Sequence, residues 1–101
     1  MALANATLTT SATSIFTSAK VKGDAVVLVS FTNYSGADAT VTLHACPAAE
    51  AAADENLLIK DLNIQAGKSF TYEVKVLLSQ TDDLKALASA NSAIAVTVSY
   101  A

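Results

Sequence analysis

Two runs of alternating apolar residues bracket a segment of turn formers, and this arrangement restricts the chain more than any other feature. In DAVVLVSFT, residues 24–32, Val27, Val29 and Phe31 share one face; in TVTLHAC, residues 40–46, Val41, Leu43 and Ala45 do the same. Strand side chains point to opposite faces with period two, so each run can cover a core on one side. Both runs are rich in β-branched residues, which suit a pleated, half-buried surface. Between them Asn33, Ser35 and Gly36 tolerate the left-handed or self-bonded backbone of a reversal. The stretch from Asp24 to Cys46 is therefore predicted to be an antiparallel hairpin with a loop longer than the tightest type.

Other segments repeat the theme. Thr13–Ser18 reads as a strand carrying Ile15 and Phe16, and 20–23 as a turn into the central hairpin. Pro47 cannot donate to a ladder and closes the strand before it. Residues 48–56, AAEAAADEN, form helix readily but are too few for a stable free helix, so a one- or two-turn helix or a loop is expected. Residues 56–64 resume strand character, with Leu58, Leu62 and Ile64 on one face and Lys60 near an edge. After the Ala66-Gly67-Lys68 turn, Phe70, Tyr72, Val74 and Val76 alternate with Ser69, Thr71, Glu73 and Lys75, a strand with one wet face. A polar corner at 79–83 leads to a strand over 84–90. Asn91-Ser92 then turns into a last strand, with Ile94, Val96, Val98 and Tyr100 facing one way and Ala93, Ala95, Thr97 and Ser99 the other.

Seven to eight short strands at about ten-residue spacing predict an all-β chain, a single antiparallel β-sandwich of jelly-roll-like or Ig-like type. At 101 residues there is one domain. It is expected to divide into an extended N-terminal arm over 1–12 and the sandwich over 13–101. Within the arm, residues 2–12 carry no charged side chain and only Leu3 and Leu8 as large apolar residues. It is expected to be either a disordered tail or a segment engaged with a neighbouring subunit.

Composition narrows the function. All six basic residues are lysines and the net charge is −3, so no guanidinium reads phosphate or bases and nucleic acid is not an expected partner. No apolar run reaches the roughly 20 residues of a membrane span, and no leader pattern opens the chain, so synthesis in a cytoplasm without export is expected. Much of the excess in the 52% hydrophobic content is alanine, so it argues only modestly for buried subunit contacts. The Asn-x-Ser/Thr patterns at Asn5 and Asn33 matter only for secreted eukaryotic chains.

Reactive residues are few. His44 and Cys46 share a strand face and could form a nucleophile pair, yet no third group is placed by the sequence to orient the imidazole. One histidine and one cysteine fall short of a metal site. The carboxylate pairs Asp54-Glu55 and Asp82-Asp83 read as solvated loop charges, without the aromatic lining of a sugar-cleaving cleft. Three glycines provide no phosphate loop. Catalytic, cofactor-binding and metal residues are accordingly expected to be none, and the chain is expected not to be an enzyme.

The segments TSIFTS, SFTNYSGADATVTLHACP and NLLIKDLNIQAGKSFTYEVKVLLSQTDDLKALASANSAIAVTVSYA together resemble a family of small tailed-bacteriophage virion proteins. The shared pattern is a T-x-I/L-Y/F-T strand, an N-x-S/T-G turn leading to T-V-T-L and a proline, an A-G-E/K turn and a final V-T-V-S/T strand. It covers residues 13–101 and departs at Thr81-Asp82-Asp83, where Gly-Asp is expected. The resemblance implies a structural protein of the virion that decorates and stabilises a capsid as a cement protein. Its expected partners are the major capsid protein or other virion proteins, and it is expected to form a homo-oligomer, with a trimer favoured. A neck, tail or fibre-attachment subunit is the alternative. A carbohydrate-binding adhesin using Tyr34 and residues 33–38 is the alternative of another class.

Overall fold

The period-two runs form strands, but they pair differently from the expected hairpin. The computed structural model describes residues 2–18, 24–47, 50–73, 76–79 and 81–100. The expected turn at 20–23 lies outside them, as do residues 48–49 of the expected helix or loop and Val74 and Lys75 of the alternating run. Nine strands occur among the described residues: β1 (Ala2–Thr7), β2 (Thr13–Thr17), β3 (Asp24–Asn33), β4 (Ala39–Cys46), β5 (Leu57–Ile64), β6 (Ser69–Tyr72), β7 (Val76–Leu78), β8 (Asp83–Ala88) and β9 (Ile94–Tyr100). A 3-10 turn, Asp54–Asn56, precedes β5, and among the described residues there is no α-helix.

The strands make two antiparallel sheets packed as a sandwich. One has the order β1-β9-β3-β6, with β7 also on β3; the other has the order β2-β8-β4-β5. β6 and β7 follow one another along the same side of β3, the register passing from Val29↔Tyr72 to Val26↔Val76. With these two counted as one interrupted strand, first pairs with last, second with next to last, and so inward to β4 with β5. An antiparallel ribbon folded over itself in this way is a jelly roll. An Ig-like sandwich groups its strands otherwise.

The hairpin expected over Asp24–Cys46 is thereby corrected. β3 and β4 lie in different sheets, and residues 34–38 arch between them. Val29, Phe31, Val41 and Leu43 are all fully buried, so both strands do face one core. The alternation is the same whether two strands pair side by side or face each other across a sandwich. Val26 joins the core across a register shift between Val26 and Leu28.

Residues 2–7, read from sequence as part of an arm, run along β9 as β1, from Ala2↔Tyr100 to Thr7↔Ala95. Leu8 is 0% exposed and belongs to the core. The chain then crosses sheets: the Leu8 N–H donates to the Ile94 carbonyl, and the Ala88 N–H to that of Thr9. β9 is central, paired on both sides by β1 and β3. Its inner residues Ile94, Val96 and Val98 meet Val29, Phe31, Leu43 and Leu84, and each such side chain contributes roughly 1.5–3 kcal/mol by leaving water. Phe16 closes one side against Tyr100, with ring centroids 4.4 Å apart.

Two further expectations need revision. Phe70, expected on a core face, is exposed, because β6 is an edge strand with no further strand beside it among the described residues; it stacks instead on Tyr72 at 6.5 Å. β5 loses its alternation at Asp61, whose φ of 50° makes a bulge opposite Thr42. The Thr42 hydroxyl accepts the Asp61 N–H there (3.1 Å), and Lys60 is exposed at this edge as expected.

Candidate functional site

The polar residues of interest gather on the outer face of the β2-β8-β4-β5 sheet. On β4 the residues alternate with core-facing Val41 and Leu43, so Thr42, His44 and Cys46 point outward. All three are nonetheless buried. Covering comes partly from the β4–β5 connection. The Ala53 carbonyl lies 3.1 Å and the Asn56 side-chain oxygen 2.7 Å from Nδ1 of His44. Both are acceptors, since Asn56 Oδ1 takes the Ala53 N–H and Asn56 Nδ2 donates to the Ala51 carbonyl. The proton of a neutral His44 therefore sits on Nδ1.

Asn56 is the orienting group that sequence reasoning did not find. His44 and Asn56 form the imidazole–amide half of a Cys–His–Asn nucleophile set. The other half is missing. Cys46 is 1% exposed, and its thiol makes no hydrogen bond to the imidazole. Burial pushes the thiol above its ordinary value; Lys85 opposes the shift, and Asp83 and Glu50 add to it. A protonated, enclosed thiol is a packing group rather than a nucleophile.

Asp83 corrects the reading of Asp82-Asp83 as solvated loop charges. It is the first residue of β8 and is buried, accepting hydrogen bonds from the Ser14 and Thr17 hydroxyls of β2. Lys85 lies 3.9 Å from its second oxygen and donates to the Glu50 carbonyl at 3.0 Å. Asp82 instead caps its own corner, accepting the Ser79 N–H. Asp54 and Glu55 are exposed in the 3-10 turn. Among the described residues no group of three or more His, Cys, Asp or Glu side chains converges as a metal site. Nor is any helix among them long and apolar enough to cross a membrane. What this cluster does chemically is fasten β2, β8, β4 and the 50–56 segment together.

The thiol gives a pH prediction. Because the folded protein holds the proton more tightly, the Cys46 contribution is complete below the ordinary thiol pKa and is lost as pH rises through the raised folded value. Wild-type stability should fall relative to Cys46→Ala above pH 9.0, with a limiting slope of about 1.4 kcal/mol per pH unit. Urea titrations of both proteins across that range measure it. Parallel curves would show that the thiol does not titrate with unfolding.

At the arch, Tyr34 is 53% exposed, while Asn33 is fully buried with its amide donating to the Ala37 and Ile64 carbonyls. That nitrogen is not available for glycosylation in the folded chain. Asn63, Gln65, Lys68 and Phe70 line an open depression at the β5–β6 connection.

No protein-family model matches the chain, and no curated protein matches it. Among solved structures, one described as a cyanophage Pam1 capsid asymmetric unit is similar at 17% identity and a TM-score of 0.36, over 97% of this chain and 80% of that chain.

Proposed function

We propose that this chain is a non-enzymatic structural protein of a virion, which binds a phage capsid as a small homo-oligomer and stabilises the shell. The outer face of the β1-β9-β3-β6 sheet carries the reading. Three cross-strand rows cross it: Leu3–Ser99–Leu28, Asn5–Thr97–Ser30–Thr71 and Thr7–Ala95–Thr32–Ser69. None of these residues is ionisable. The other sheet gathers its ions and imidazole on its outer face, at Asp83, Lys85 and His44.

Hydroxyls already bond along these rows: Thr97 Oγ1 donates to Asn5 Oδ1 (2.9 Å), and Thr32 and Ser69 hydroxyls lie 3.0 Å apart. Covering these rows strips no charge of water, a large cost in forming an interface. Weak contacts of this kind become firm when symmetry repeats them. The jelly roll also builds lectins and cupins, so topology does not select the partner. The virion assignment rests on the resemblance over residues 13–101.

Copy number tests the position in the particle. Quantified against the major capsid protein in purified virions, near-equal stoichiometry supports decoration; a handful of copies moves the chain to a neck, tail or fibre attachment. Ser30→Lys, in the middle row, should keep the wild-type circular dichroism and lose particle occupancy. Full occupancy by the variant would remove this face from the contact. The exposed Tyr34 favours one second reading, carbohydrate binding, which a glycan array without hits would end.

A further inference from the structure

We infer that the free edge of β1 pairs with the β1 edge of a second copy, antiparallel and centred on Asn5, joining two five-stranded sheets into one. The argument begins with the direction of the backbone groups. In an antiparallel ladder, opposite residues alternate between pairs that exchange both hydrogen bonds and pairs that exchange none. The Leu8 N–H donates to Ile94, its opposite number in the β1–β9 register. The Tyr34 N–H donates to Ala93, which assigns Ala95, Thr97 and Ser99 to β3 and leaves Val96, Val98 and Tyr100 for β1. Both observations give the same phase. Ala2, Ala4 and Ala6 bond to β9, so Leu3, Asn5 and Thr7 direct their N–H and C=O groups away from it.

Among the described residues no strand takes up those groups. The other sheet edges are blunted in the ways that discourage pairing. β5 carries Lys60 and the Asp61 bulge, β2 has a register shift between Ser14 and Phe16, and the β6–β7 edge is interrupted at Glu73. β1 has six residues, no charge, no proline and no shift against β9. Among the described residues it is the one edge left regular.

The occupant follows from symmetry. Centred on Asn5, a two-fold antiparallel pairing sets Leu3 against Thr7 of the second copy, Asn5 against Asn5, and Thr7 against Leu3. Every outward N–H and C=O of the three residues then finds a partner. Centring on Leu3 or Thr7 leaves part of the set unmatched. The 64% exposed Leu3, the most exposed large apolar side chain among the described residues, also gains a neighbour. This contact is a two-fold pair rather than the favoured trimer, and it does not depend on the virion reading.

Equilibrium sedimentation of the full chain, without any particle, should show a reversible dimer. Asn5→Lys places like charges opposite each other across the two-fold and should give a monomer with wild-type circular dichroism; Asn5→Asp should do the same. Mixing the two variants should restore a dimer, because opposite charges now face each other at that one position. Asn5→Cys should cross-link with itself under mild oxidation, whereas Leu3→Cys should cross-link only with Thr7→Cys. A monomeric wild type, a dimer that survives Asn5→Lys, or cross-linking without this register would each overturn the inference. Capture of a strand from another protein by a chain that stays monomeric alone would do so too.

Discussion

Deleting residues 2–8 should abolish the cooperative unfolding transition and the near-ultraviolet circular dichroism. The deletion removes β1 from the flank of β9 and takes Leu8, 0% exposed, out of the core. Ala4 and Ala6 pack against that core from the same strand. Leu8→Ala alone should cost about 2–5 kcal/mol, through lost burial and the cavity left behind. Native domains have only about 5–15 kcal/mol in total, so adding the loss of a whole ladder exceeds what remains. Leu3→Ser is the matched control, since Leu3 is 64% exposed in the single chain, and at concentrations where the protein is monomeric it should leave the transition where it was. A truncated protein that still melts cooperatively near the wild-type temperature would show that residues 2–8 are an accessory of a sandwich complete without them.

The existence of the strands was legible, and their partners were not. Ile94, Val96 and Val98 alternate with small residues, and that pattern holds for an edge strand and a central one alike; β9 proved central. Asn33, Ser35 and Gly36 announce a change of direction between β3 and β4 without saying whether the chain returns beside itself or crosses to another layer. Leu8 stands alone among polar neighbours, so no periodicity marks it as core. The polar cluster was hidden for a related reason. Ser14 and Thr17 reach Asp83 across 69 and 66 residues of sequence, and Asn56 reaches His44 from a connection that local pattern leaves as helix or loop. Distance along the chain, not residue type, concealed them.

Asn33→Ala should destabilise the protein by about 3–5 kcal/mol, among the largest effects of any polar substitution in the chain. Its side chain is 0% exposed and uses every group it has. Nδ2 donates to the Ala37 and Ile64 carbonyls, each at 2.8 Å. Oδ1 accepts the Ser35 N–H at 3.0 Å and the Ser35 hydroxyl at 2.7 Å. The backbone adds to this, the Asn33 N–H donating to Lys68 and its carbonyl accepting from Gly67. One residue thus ties the arch over 34–38 to the β5–β6 connection, both of which carry the chain from sheet to sheet. Truncation strands the Ile64 carbonyl in a buried setting and takes one of two donors from the Ala37 carbonyl, which the Ser35 hydroxyl also reaches; an unsatisfied buried group costs about 1–3 kcal/mol. Asn33→Asp separates these bonds from mere volume. The variant presents oxygen to two carbonyl oxygens, so its carboxyl is held protonated by burial and by the missing donors. Its stability should therefore be greatest in acid and fall as pH rises through the raised pKa, while the alanine variant follows the wild-type pH profile. Matching profiles for the two variants would mean that the amide donors to Ala37 and Ile64 do not hold the arch.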